Sequence, residues 1–131
     1  MVDAHEIEIR VRYSETDAMG FLHHANYFVY FEEGRTELLR AQGGNYRAME
    51  EAGFLMVVVK LQCRYHQPAR YDDVLKLRTR IRKIGMVKLE HEYQLYRDGV
   101  LLAEAESTLA CIDREGKVQP IPDEFRGEAS A

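Results

Sequence analysis

The chain has 131 residues, 46% of them hydrophobic, and a net charge of −4 at neutral pH. This length fits one domain, with about two-thirds of the unfolded chain's surface buried on folding. Mild acidity gives nucleic acid no footing as a general partner, and the longest apolar run, residues 54–59, is too short to insert across a membrane.

Residues 5–13 set Ile7, Ile9, Val11 and Tyr13 against Glu8, Arg10 and Arg12, which predicts a strand with one buried face. Residues 14–24 carry Ser, Thr, Asp and Gly and read as a loop. From Ala25 the period changes: Tyr27, Tyr30, Phe31, Gly34, Leu38 and Leu39 recur at three- and four-residue steps. That spacing predicts an amphipathic helix of about 18 residues, ending before Gly43-Gly44. Gly34 in its middle costs about 1 kcal/mol against Ala, and close approach to something flat is the expected compensation. Such a helix spans about 27 Å, close to an eight-residue strand at about 3.3 Å per residue, so it is expected to lie along a sheet. Residues 45–52 predict a short second helix stopped by Gly53.

The remainder reads as strands. Residues 54–66 open fully apolar, which predicts cover on both faces, by the helix and by another subunit. They then alternate, with Val57, Val59, Leu61, Cys63 and Tyr65 on one face. In residues 73–83 Leu75, Leu77, Thr79 and Ile81 oppose a basic stripe of Lys76, Arg78, Arg80 and Arg82, with Lys83 beside it. Residues 87–97 turn Val87, Leu89, His91, Tyr93 and Leu95 one way, and Arg97-Asp98-Gly99 signals a tight hairpin. Residues 100–112 place Leu101, Ala103, Ala105, Ser107, Leu109 and Cys111 inward. From about 118 onward the tail, with Pro120 and Pro122, is expected to be irregular. Short turns mean antiparallel neighbours. The expectation is one α+β domain over residues 1–131, a curved antiparallel sheet of about five strands around one long helix. A small open sheet leaves unprotected strand edges, so pairing with a second copy is also expected.

The chemistry-bearing residues gather where the loop meets the helix. Asp17 reads as a turn carboxylate or, beside the flexible Gly20 and before a helix N-terminus, as a reactive one. Helix-terminal N–H groups can hold an oxyanion, and the imidazoles of His23 and His24 can bind substrate or move protons. Together these parts suit acyl transfer. The five histidines show no metal-binding spacing, so no metal site is expected, and His91 reads as a hydrogen-bonded core residue. The basic stripe reads as a wet strand face or as an attraction for ligand phosphates. Cys63 and Cys111 lie far apart in apolar stretches and read as buried reduced thiols. With no apolar signal core at the N-terminus, a cytoplasmic location is the expectation.

Tyr13-x-x-Thr16-Asp17-x-x-Gly20, His24-Ala25-Asn26-Tyr27 and Glu33-x-Arg35 resemble the signature of the 4-hydroxybenzoyl-CoA thioesterase family, which has the hot-dog fold. The resemblance is strongest to its short-chain bacterial acyl-CoA thioesterase branch associated with the Tol–Pal cluster, and Tyr71-Asp72-Asp73 is a further family-like feature. It implies hydrolysis of an acyl-CoA thioester, with Asp17 as catalytic carboxylate (nucleophile or general base), His24 assisting, and a backbone N–H at or next to His24 as oxyanion donor. Gly20, His23, Ala25 and Asn26 would then position that donor, and Tyr13, Tyr27, Glu33, Arg80 and Arg82 would contact substrate. Where this chain has His23 the family often has Tyr. A related branch uses a carboxylate on the central helix, the place of Glu33; Asp17 in the loop argues against it. The resemblance further implies a homodimer or homotetramer with the site at a subunit interface, and no cofactor beyond the CoA of the substrate. Two other readings stay open: a hydratase or dehydratase acting on acyl thioesters, and a catalytically weak acyl-CoA-binding or partner protein.

Overall fold

The computed structural model describes residues 3–126. Period-two stretches become strands and the three-four stretch becomes the long helix. In chain order these are β1 (Ala4–Arg10), α1 (Asn26–Ala41), α2 (Tyr46–Glu51), β2 (Leu55–Tyr65), β3 (Val74–Ile84), β4 (Lys88–Arg97), β5 (Val100–Ile112) and β6 (Val118–Gln119). Single 3₁₀ turns form at Tyr13–Glu15 and Asp123–Arg126. The sheet order is β1-β3-β4-β5-β2, every neighbour antiparallel, with β6 on β5. α1 lies across one face of this sheet, as a hot-dog fold requires.

The long helix sits close because Gly34 lets it. A Cβ there would lie 2.3 Å from Thr79 Oγ1 and 2.8 Å from Leu77 Cδ2. Around that contact Tyr27, Tyr30 and Phe31 pack with Leu75, Leu77, Tyr93, Leu95 and Ala105 in one buried cluster, where Phe31 stacks on Tyr93 at 4.7 Å. A second cluster joins Leu39, Met49, Leu89, Leu109 and Cys111 to Ile121 and Phe125. The segment expected to be irregular is therefore part of the fold, since β6 pairs with β5 and the second 3₁₀ turn delivers Phe125 to the core. Residues 127–131, also in that segment, lie outside the described residues.

Strict alternation misplaces residues wherever a bulge intervenes. A one-residue bulge moves every following side chain to the other face. In β2 the register skips Val59, so Met56 and Val58 share the face of Leu61, Cys63 and Tyr65, and Val57 does not. In β5 the register skips Leu102, and Leu102 rather than Leu101 is buried. A third bulge lies at Arg82. Such bulges also add the twist that curves the sheet around α1. The apolar opening of β2 is only half covered in the single chain, and Val58, Val59 and Leu61 are exposed. Asp98-Gly99 closes the β4–β5 hairpin as a two-residue turn, with Arg97 opposite Val100. Tyr71-Asp72-Asp73 ties down the β2–β3 connection. Asp73 accepts from the Arg70 N–H at 2.8 Å and pairs with Arg97 at 2.7 Å, and Asp72 pairs with Arg10.

Gly34→Ala is expected to destabilise the protein by up to about 2 kcal/mol in urea unfolding. Overpacking costs about 1–3 kcal/mol, and the better helix propensity of Ala returns about 1. Unchanged or higher stability would show that Thr79 and Leu77 yield freely.

Candidate active site

β1 ends at Arg10, short of the expected Tyr13, and the chain turns because of one buried carboxylate. Glu15 is 6% exposed. Its Oε1 accepts the Arg12 N–H at 2.8 Å and the Tyr30 hydroxyl at 2.7 Å, and its Oε2 accepts the Arg12 guanidinium at 3.1 Å. Burial alone would push this carboxyl up. The hydrogen bonds from Arg12 and Tyr30 outweigh it and hold Glu15 below the usual carboxylate range. Burial and the same carboxylate raise the Tyr30 hydroxyl well above its usual value, so it stays a donor. The Glu15 carbonyl accepts the His23 N–H and the Asn26 side-chain amide, each at 2.9 Å. One residue thus ties the end of β1 to the first turn of α1.

The Asp17 loop is built between those ties. Asp17 Oδ1 accepts the N–H groups of Met19 at 2.9 Å and Phe21 at 3.2 Å, while Oδ2 has no partner among the described residues. The Asp17 N–H donates to the Phe21 carbonyl at 2.8 Å and the Gly20 N–H to the Asp17 carbonyl at 3.0 Å. Gly20 closes this turn at φ +83°, with open space where a Cβ would stand, so backbone conformation rather than crowding calls for glycine. The far side of the loop is fixed by Leu22 N–H on the Ala69 carbonyl at 2.8 Å and by the Arg70 guanidinium over the Phe21 ring.

At the start of α1 the N–H groups on either side of His24, and that of Asn26, are already engaged. The Ala25 N–H donates to His23 Nδ1 at 3.1 Å, and the Asn26 N–H to the His23 carbonyl at 2.9 Å. His23 therefore acts as a cap that Ala25 has no side chain to supply, and its ring stacks on His24 at 4.2 Å. Among the described residues the His24 N–H has no acceptor, and it sits at the positive end of α1.

A cleft of ≈ 390 Å³ brings Asp17, His24 and Tyr27 together. Met19, Phe21, Leu22 and Pro68 give it an apolar wall. Tyr65, His66 and Gln67, from the end of β2, form its other side and were absent from the expected set. No local signal marks them, because β2 reaches this point only through the sheet order. Four expected contacts lie elsewhere. Tyr13 is 77% exposed and packs edge-on against Tyr71. Glu33 is exposed on α1. Arg80 and Arg82 lie on the outer face of β3, paired with Glu92 and Glu106, so in the single chain these two charges are neutralised on a wet face. His91 is buried as expected, but its Nδ1 has no partner among the described residues. Burial, then the Arg35 charge, push its pKa down to about 3, so it is neutral. Cys111 is buried and Cys63 half-buried, and both are free thiols. No helix of the described residues is long and apolar enough to cross a membrane.

The chain matches the thioesterase-like superfamily over residues 11–128. The acyl-CoA thioesterase YbgC of Haemophilus influenzae is 35% identical over 114 residues, which are 86% of this chain and 83% of that one. A solved protein of Aquifex aeolicus is similar with TM-score 0.89 and 33% identity, over 93% of this chain and 96% of that one. The DHNA-CoA thioesterase of Staphylococcus aureus is similar with TM-score 0.85 and 30% identity, over 92% of this chain and 81% of that one.

Two outcomes follow from the Glu15 environment. Tyr30→Phe leaves Glu15 one donor short and is expected to lower stability by about 1–3 kcal/mol. Because Glu15 titrates lower when folded, its charge stabilises the fold above the unfolded pKa near 4.5, and this contribution disappears as pH falls through the folded value. Glu15→Gln should be less stable than wild type at pH 7 in urea unfolding, and the gap should close in acid. A gap that widens in acid would contradict this charge assignment.

Proposed function

The chain belongs to the thioesterase-like superfamily, and we propose that it hydrolyses an acyl-CoA thioester to the free acid and CoA. One observation supports this reading most: a carboxylate with one anchored oxygen and one free among the described residues shares a cleft with His24, whose N–H is likewise unpaired among them at a helix N-terminus. Asp17 Oδ2 attacks the thioester carbonyl carbon, or it takes a proton from a water that attacks. Either way the carbonyl oxygen becomes an oxyanion, and the His24 N–H donates to it. The C–S bond then breaks, and CoA leaves as a thiolate that takes up a proton. On the nucleophilic route water afterwards cleaves the mixed anhydride and frees Asp17. The exposed His24 imidazole at the cleft is available for these proton movements.

The same proposal extends to the rest of the chain. Gly20 and His23 hold loop and helix start in place. Tyr27 and the apolar wall receive the acyl group. CoA enters as part of the substrate, and no separate cofactor takes part. β2 is a sheet edge with Val58, Val59 and Leu61 exposed, so a second copy pairs along it and covers this surface. Two free thiols fit a reducing cytoplasm.

Asp17→Asn is expected to lose at least about 10²-fold in turnover while its unfolding curve stays near wild type. Thiol release from acyl-CoA measures the rate, and a near-normal rate would remove Asp17 from the chemistry. Sedimentation at micromolar concentration should find a dimer or tetramer. A monomer alone would contradict the β2 interface.

A further inference from the structure

Tyr65 is the last residue of β2 and pairs with Ala103 of β5. The backbone just beyond it is fixed, because the N–H groups of His66 and Gln67 both donate to the Leu102 carbonyl, at 2.8 and 3.1 Å. The Tyr65 ring stands edge-on to the buried Tyr27, with centroids 4.8 Å apart at 90°. Its hydroxyl reaches across the cleft and donates to the His24 carbonyl at 2.9 Å. Burial, then the nearby Cys63 thiol, push this hydroxyl up to about 12, so it remains a donor through the neutral range.

His24 thus has one free backbone group and one held group. The peptide before it is held by the Asn26 N–H on the His23 carbonyl, and the His23 N–H, one peptide earlier, is held on the Glu15 carbonyl. The carbonyl after it is set by Tyr65. Restraint on both sides fixes the direction of the His24 N–H before any substrate arrives, which is what a preorganised donor requires.

We propose that Tyr65 is a positioning residue whose hydroxyl, by holding the His24 carbonyl, aims the His24 N–H at the oxyanion. The proposal rests on the acyl-thioester reading above and deepens it. The strand that presents its apolar residues to a second copy also ends in the residue that sets the donor, so one element serves both.

The test compares wild type, Tyr65→Phe, Tyr65→Ala and Asp17→Asn. Phe keeps the ring against Tyr27 and removes only the hydroxyl. Loss of an oxyanion donor costs about 10²–10³-fold, and misaiming it should cost part of that, about 10–10²-fold in kcat. KM should stay within about 3-fold of wild type, because the bond acts on the transition state rather than on substrate binding. Binding of an alkyl-CoA thioether, which has no carbonyl oxygen, should be the same in wild type and Tyr65→Phe by calorimetry. Tyr65→Phe turning over at the wild-type rate, or losing thioether affinity in step with kcat, overturns the proposal. An active wild type with a dead Asp17→Asn and a fully active Tyr65→Phe overturns this proposal alone. A wild type that releases no thiol overturns the acyl-thioester reading and this proposal with it.

Discussion

A buried carboxylate needs partners, and Glu15 finds them in the segment that follows the first strand and in the long helix. Its side chain holds Arg12, two residues past the first strand, and Tyr30 one turn into the helix. Its carbonyl holds His23 and Asn26 at the helix start. Burying a charge without partners would cost several kcal/mol, so Arg12, Tyr30 and the loop between them cannot move independently. Asp17 lies two residues beyond Glu15 and hangs from the same frame. The cleft therefore follows from how one charge is satisfied.

The helix start is also fixed from below. Gly34 seats α1 on Leu77 and Thr79, and the buried cluster around Phe31 and Tyr93 holds it there. A helix held this closely points its positive end at one place, where the Ala25 and Asn26 N–H groups are engaged and the His24 N–H is left over. His23 fills the capping role with its Nδ1. The packing of the sheet and the polarity of the cleft are thus set by the same helix.

The long helix and the five long strands were legible because burial on one face leaves a period that survives in sequence. Gly34 was legible for the same reason: a helix-breaking residue on an apolar stripe needs a close neighbour. The bulges at Val59 and Leu102 were not, because one inserted residue shifts the phase without any compositional mark. Asp17, Gly20 and His24 stood out through residue type and local spacing, and the structure places Asp17 and His24 in one cleft. Glu15 and Tyr65 did not. Glu15 looks like any loop glutamate until Tyr30 lies over it, and Tyr65 reaches His24 only because β2 closes the far edge of the sheet. Arg80 and Arg82 attracted notice as a stripe, but their partners, Glu92 and Glu106, come from other strands. Ile121 and Phe125 lie in a proline-bearing tail that reads as irregular, yet they complete the second cluster.

If the cleft works as proposed, a thioester carbon meets a carboxylate there and its oxygen meets an N–H. The most direct measurement is free-thiol release by the wild-type protein across short aliphatic, long aliphatic and aromatic acyl-CoAs, with the acid product quantified alongside. Equimolar CoA thiol and free acid are predicted from at least one of them. Absorbance change at an acyl double bond without thiol release, or CoA binding with no turnover of any of them, would contradict that chemistry.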